Sequence, residues 1–301
     1  AGVATTAATQ EILTNAVHKN VGPRFVPRIL GNIAAAQIAI SYGIYGPSST
    51  LSTACASGCD AVSMAAMMLL ADEADAVLAV GSESVLCPLV IYSLANAHTL
   101  SRMNDDPLHA CRPFDAARNG FVIGEGGGAL VLERESHAKA RGAEIYAELA
   151  GWANNNDAYH VMQPDPDGKM AARCMQMAMD CAGVAAQQID HINAHGTGTK
   201  QGDSAELAAI SQVFGDARPA ITSTKGATGH LMGGGGLTES IACIQAFRTG
   251  IIPPTLNLDD PEGDFDYGAG QMRRQHVETA MTNAFGFGGQ NASLIFRKYE
   301  G

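Results

Sequence analysis

Short apolar runs that end in glycine or in a small polar loop recur along this chain, each followed by a stretch with helical spacing. Residues 74–81, 128–133, 189–194, 220–223 and 291–296 read as strands, and residues 57–71, 135–141, 171–182, 204–214 and 237–249 as helices. Strand, loop and helix in repeated succession leave one architecture, α/β, with functional loops at the carboxyl ends of the strands. The run ADAVLAVG at 74–81 is apolar enough to predict a buried parallel strand.

Two corners echo each other. Residues 52–58 (STACASG) and 223–230 (STKGATGH) both follow a strand signal, and both lead into a helix rich in Ala, Gly and Met. The echo predicts a duplicated α/β unit whose two corners face each other and bring a cysteine and a histidine into one site. At 301 residues the chain has room for two such units, 1–143 with Cys55 and 144–301 with His195 and His230.

Composition removes several function classes. With 46% hydrophobic residues the chain is globular, not disordered. Its 19 Lys and Arg against 30 Asp and Glu leave a charge of −11, which argues against nucleic acid as a partner. No apolar stretch approaches the roughly 20 residues that span a bilayer. Seven cysteines, an odd number among small and apolar neighbours, read as reduced thiols of a cytoplasmic protein. Cys55 and Cys59 are closely spaced, but no second pair accompanies them, so no metal is expected. The glycine runs at 120–128, 233–236 and 286–289 match neither a P-loop nor a dinucleotide fingerprint, so no cofactor is expected; they fit close backbone approach.

Cys55 is the strongest nucleophile candidate. A thiol at the start of a helix feels the positive end of the dipole, which favours thiolate, and Ala54, Ala56, Ser57 and Gly58 leave space around the sulfur. Cys59, one turn on, reads as packing. His195 heads the loop HGTGT at a strand end, where Thr197 and Thr199 supply groups to hold it and a ligand. His230 lies close to Lys225, whose surroundings are so poor in charge that it is expected to be buried and paired with Glu239 or Glu206.

The segments STACASG (52–58), CRPFDAARNGFVIGEGGGALVLE (111–133), INAHGTGT (192–199), TSTKGATGH (222–230), IIPPTLNLD (251–259) and TNAFGFGGQNAS (282–293) together resemble the β-ketoacyl-acyl carrier protein synthases of the elongating type II group in the thiolase superfamily. The resemblance runs over nearly the whole chain. It implies a thiolase-like layered α/β/α/β/α fold with pseudo-duplicated halves. It also implies that Cys55 carries the acyl group, that His195 and His230 act on the malonyl thioester, that Lys225 and Glu239 form a buried ionic support, and that Phe287 gates the acyl pocket. The implied oxyanion hole is the backbone N–H pair of Cys55 and Phe287. The implied partners are acyl carrier protein and a second copy of the chain.

Members of this family carry an amino-terminal segment ahead of the point where this sequence starts. The first half is therefore expected to be incomplete and to expose sheet edge and apolar surface. For an acidic carrier protein the best basic cluster is Lys19, Arg24 and Arg28; Phe25 replaces a second basic residue, and His98 stands near a position usually held by Arg. A polyketide-type ketosynthase, or an inactive subunit or fragment, are the competing readings. A coenzyme A thiolase is expected to carry a second cysteine where His230 stands.

Overall fold

The computed structural model describes residues 2–15, 21–268 and 270–301. Its elements run in the order α1 (Val3–Thr14), α2 (Phe25–Ile29), α3 (Ile33–Tyr42), α4 (Ser57–Leu70), β1 (Ala76–Glu83), α5 (Pro88–Asn96), β2 (Gly126–Glu133), α6 (Glu135–Ala140), β3 (Ala147–Asn156), α7 (Lys169–Ala182), β4 (His191–Asn193), α8 (Lys200–Phe214), β5 (Ala220–Thr222), α9 (Lys225–Thr228), α10 (Gly235–Thr249), β6 (Ile251–Ile252), β7 (Arg273–Arg274), β8 (Thr279–Gly286) and β9 (Gln290–Lys298).

A five-stranded mixed sheet, ordered β3-β9-β8-β4-β5, carries apolar residues on both faces. On one face Ile192, Ile221, Met281 and Ile295 pack against Met175 and Met179 of α7 and Ile210 and Phe214 of α8. On the other, Ala280, Leu294 and Phe296 meet Val62 of α4 and Leu237, Cys243 and Phe247 of α10. Each large side chain buried in these layers contributes about 1.5–3 kcal/mol. Beyond α4 and α10 lies a second sheet of β1 and β2, so the two helices form a layer between sheets, as a thiolase-like fold requires.

The two middle helices approach very closely. A Cβ on Gly58 would stand 2.9 Å from the Leu237 nitrogen, and one on Gly236 would stand 2.6 Å from the Cys59 nitrogen. Glycine at both positions lets the backbones touch, which places the amino end of α4, with Cys55, beside the 230s.

Three expectations are corrected. The run at 74–81 forms β1, and β1 pairs antiparallel with β2. Its residues alternate: Val77 and Ala79 face the helices, while Leu78 and its cross-strand partner Val131 are exposed, the pattern of a sheet solvated on one face. The residues just before Cys55 form no strand, because no neighbouring strand among the described residues supplies a ladder for them. The echo also shifts: the helix answering α4 is α10, and the left-handed residues that precede them are Ala54 (φ 51°) and Met232 (φ 48°), whereas the corner at Lys225 opens only the single turn α9. Leu70, Tyr42, Tyr45 and Tyr92 are exposed. No helix among the described residues is long and apolar enough to cross a membrane.

Candidate active site

Strands β4, β5 and β8 run parallel, so their carboxyl ends reach the same edge of the sheet. His195 follows β4, Lys225 follows β5, and Phe287 follows β8 in the turn to β9. That shared direction gathers residues 195, 225 and 287 at one place. Cys55 arrives from the middle layer at the start of α4.

Cys55, His195 and Phe287 line a cavity of about 1020 Å³, whose walls also include Thr197, Thr199, His230 and Phe285. His230 Nε2 lies 3.1 Å from Cys55 Sγ. The His195 ring meets the His230 ring edge-to-face at 5.4 Å between centroids, and Phe285 and Phe121 hold the pair from either side at 5.8 and 5.2 Å. The Nδ1 atoms of both histidines are buried with no partner. Thr197 and Thr199 share a hydroxyl contact at 3.1 Å, and Thr199 caps α8 by accepting from the Gly202 N–H.

The electrostatics favour neutral groups. Burial pushes the Cys55 thiol up to about 11; the Lys225 cation and the Phe287 N–H oppose this, Glu239 adds to it, and Cys55's own N–H also pulls down. The helix start that favours thiolate is thus opposed by desolvation of the buried sulfur. Burial likewise holds His195 and His230 well below the usual imidazole range, and nearby Lys225 lowers both further. Gly286 lets the Phe287 amide approach the sulfur: a Cβ there would lie 2.8 Å from the Thr53 carbonyl oxygen and 3.0 Å from the Cys55 nitrogen.

Lys225 and Glu239, 1% and 3% exposed, form a buried ion pair. Glu206, the other candidate partner, does something else. Its carboxylate accepts the N–H groups of His195 (2.8 Å) and Gly196 (2.7 Å), and burial pushes it up to about 7. Asp203 accepts from Gly198 at 3.1 Å and from Phe114 at 2.8 Å, and is pushed up to about 6 by burial. Arg118, also buried, donates to the carbonyls of Thr199 and Lys200. These three side chains clamp the loop that aims His195. Their signal in the sequence was two acids three residues apart in the first turns of a helix with apolar neighbours, which places both on the face turned inward.

The basic cluster stands apart from the cavity. Arg24 and Arg28 are exposed at α2, neither among the lining residues, and Lys19 lies outside the described residues. His98 lines the cavity.

Two family models match, "Beta-ketoacyl synthase, N-terminal domain" over residues 1–138 and "Beta-ketoacyl synthase, C-terminal domain" over residues 146–259. The chain belongs to the β-ketoacyl synthase family. Among curated relatives, the 3-oxoacyl-[acyl-carrier-protein] synthase 2 of Rhizobium meliloti is 45% identical over 288 residues, covering 94% of this chain and 68% of that protein. Its namesake from Synechocystis is 43% identical, covering 97% and 71%. Among solved structures, a β-ketoacyl synthase from Burkholderia phymatum superposes with a TM-score of 0.92 at 35% identity, covering 99% of this chain and 73% of that one. A ketosynthase bound to a hexaketide and in complex with a type II PKS acyl-carrier protein gives 0.91 at 36% identity, covering 94% and 71%. The layered synthase fold thus carries Cys55, His195 and His230 together into its cavity.

Proposed function

We propose that this synthase elongates fatty acyl chains by decarboxylative Claisen condensation, joining an acyl group held on Cys55 to malonyl-acyl carrier protein and releasing CO₂. The observation that carries this reading is a thiol and two imidazoles, the imidazoles held neutral by burial, converging in one cavity. The relatives named 3-oxoacyl-[acyl-carrier-protein] synthase 2 favour the fatty-acid reaction over the polyketide one.

In the first half-reaction Cys55 Sγ attacks the thioester carbonyl, His230 Nε2 takes the thiol proton, and the departing pantetheine sulfur receives it. The amides of Cys55 and Phe287 hold the oxyanion. In the second, the malonyl C–C bond to the carboxylate breaks, CO₂ leaves, and the electron pair remains as an enolate. Nε2–H groups of His195 and His230 stabilise its oxygen. With neither Nδ1 tied to a partner, no hydrogen bond locks the tautomer, so Nε2 serves as acceptor in one step and donor in the other. The enolate carbon then bonds to the acyl carbon, Cys55 leaves as thiolate and is reprotonated, and 3-oxoacyl-carrier protein results.

In this reading Lys225 and Glu239 support the site, Thr197 and Thr199 bind the pantetheine arm, and Phe287, 38% exposed, gates the acyl pocket. Residues 1–143 and 144–301 are its two halves, Arg24 and Arg28 help dock the carrier, and the working protein is a cytoplasmic homodimer. A ketosynthase relative solved with its carrier protein supports a carrier-borne substrate. The test is mass spectrometry of Cys55 after incubation with acyl-carrier protein, then addition of malonyl-carrier protein. Acylation of Cys55 followed by a 3-oxoacyl product is expected, and His195→Ala is expected to keep acylation while losing CO₂ release. Unchanged condensation by that variant sinks the assignment.

A further inference from the structure

The buried charges beside the His195 loop pair off and leave one out. Lys225 takes Glu239, and Arg118 lies 3.5 Å from Asp203 and also meets the partly exposed Glu262. Glu206 is as deeply buried, yet it has no ion pair among the described residues. What faces its carboxylate is backbone: Oε1 accepts the His195 N–H at 2.8 Å and Oε2 accepts the Gly196 N–H at 2.7 Å. One turn earlier on α8, Asp203 accepts the Gly198 N–H at 3.1 Å. The loop turns these N–H groups inward because Gly196 (φ 33°) and Gly198 (φ 85°) take left-handed conformations, and the Ser223 hydroxyl donates to the Gly196 carbonyl at 2.7 Å. The titratable and charged groups around Glu206 are Asp203 on its own helix with Arg118 beside it, His195 on the loop, Lys225 of α9, and Tyr267 from the segment between β6 and β7.

Holding two neighbouring amides, one on each oxygen, is work for a carboxylate. A carboxylic acid keeps one good acceptor and turns the other oxygen into a hydroxyl, a poor partner for an N–H. With no cation of its own, this charge has a proton as its natural counter-ion. Burial and Asp203 oppose ionisation, the two amides and Lys225 favour it, and the balance leaves the carboxyl pushed up to about 7. We propose that Glu206 is a positioning residue whose negative charge keeps the His195 imidazole aimed at the malonyl thioester, and that a single proton taken up there loosens the loop, so that acid shuts off decarboxylation while acyl transfer to Cys55 continues. The bond formed is O–H on Glu206, and the proton comes from water in the cavity that Glu206 lines. This deepens the ketosynthase reading and rests on it.

The test follows the two half-reactions separately on the full chain: acylation of Cys55 by mass spectrometry, and CO₂ release from malonyl-carrier protein by the acylated enzyme. CO₂ release is expected to be about tenfold slower at pH 5.5 than at pH 8. Glu206→Gln sets an amide N–H against one of the two backbone N–H groups, so it is expected to show the slow rate at every pH while acylating Cys55 within about twofold of the parent. Glu206→Asp, still a carboxylate, is expected to recover part of the rate and to keep the acid limb. A Glu206→Gln enzyme that is as fast as the parent at pH 8, or that retains the acid limb, overturns the proposal. A measurement on the unaltered protein stands beside the variants: infrared difference spectra between pH 8 and pH 7 are expected to gain a carboxylic-acid carbonyl band, because exposed carboxyls protonate only at lower pH. No gain overturns the proposal even if Glu206→Gln fails to fold. If Cys55 is acylated but no CO₂ is released at any pH, the ketosynthase reading fails and takes this one with it; release with no acid limb fails this proposal alone.

Discussion

His230 Nε2 sits 3.1 Å from Cys55 Sγ across 175 residues of chain. The contact joins a thiol that burial pushes up to about 11 with an imidazole that burial pushes down, so the proton stays on sulfur until a thioester arrives. Such a pair differs from a cysteine-histidine ion pair, in which the thiolate stands ready at neutral pH.

Alkylation of Cys55 by iodoacetamide is accordingly expected to accelerate about tenfold per pH unit between pH 7 and 9, following the thiolate fraction. Peptide mass spectrometry of the labelled protein reads the rate. A plateau near pH 7 would mean an ion pair and would contradict the neutral assignment.

Lys225→Met leaves Glu239 as an uncompensated buried charge and is expected to cost about 3–5 kcal/mol of stability. Pairing it with Glu239→Leu removes the stranded charge and is expected to recover most of that loss. Urea unfolding of the two variants measures the difference; equal stabilities would show that the ion pair does not bear on the core.

Gly286→Ala places a methyl group 2.8 Å from the Thr53 carbonyl oxygen and 3.0 Å from the Cys55 nitrogen, both backbone atoms with little freedom to yield. The Phe287 amide must then move away from the sulfur. Cys55 acylation is expected to slow by about 10²-fold while the fold is retained, in line with the cost of displacing one oxyanion donor. Stopped-flow acylation together with a circular dichroism spectrum decides it.

His195 and His230 have folded-state pKa values depressed below their ordinary 6.5. The unfolded chain therefore binds more protons below pH 6.5, and the stability these groups leave intact at pH 7 is lost as pH falls. Between pH 7 and 5.5 the parent is expected to lose roughly 2 kcal/mol more than His195→Gln/His230→Gln. Glu206 and Asp203, pushed up to about 7 and about 6, act with the opposite sign in both proteins and cancel in the comparison. Identical urea midpoint shifts in the two proteins would refute buried neutral histidines.

The α/β class and the candidates Cys55, His195 and His230 were legible in the sequence, because they depend on residue identity and on local alternation of strand and helix. The partner of Lys225 was not: its residues left Glu239 and Glu206 open, and the structure pairs it with Glu239. The sense of β1 was not legible, because an apolar run looks alike in parallel and antiparallel sheets until its partner β2 is known. Nor was the role of Glu206, since an acid in an apolar helix can meet a lysine or a loop amide with equal local logic. The charge state of Cys55 had to wait as well: a helix end favours thiolate, while the surrounding core, which exists only in the packed chain, desolvates the sulfur and pushes its pKa up. Sequence alone named the cysteine and the two histidines; the tertiary structure decided that they meet and that they meet uncharged, because burial is a property of the packed chain and of no single segment.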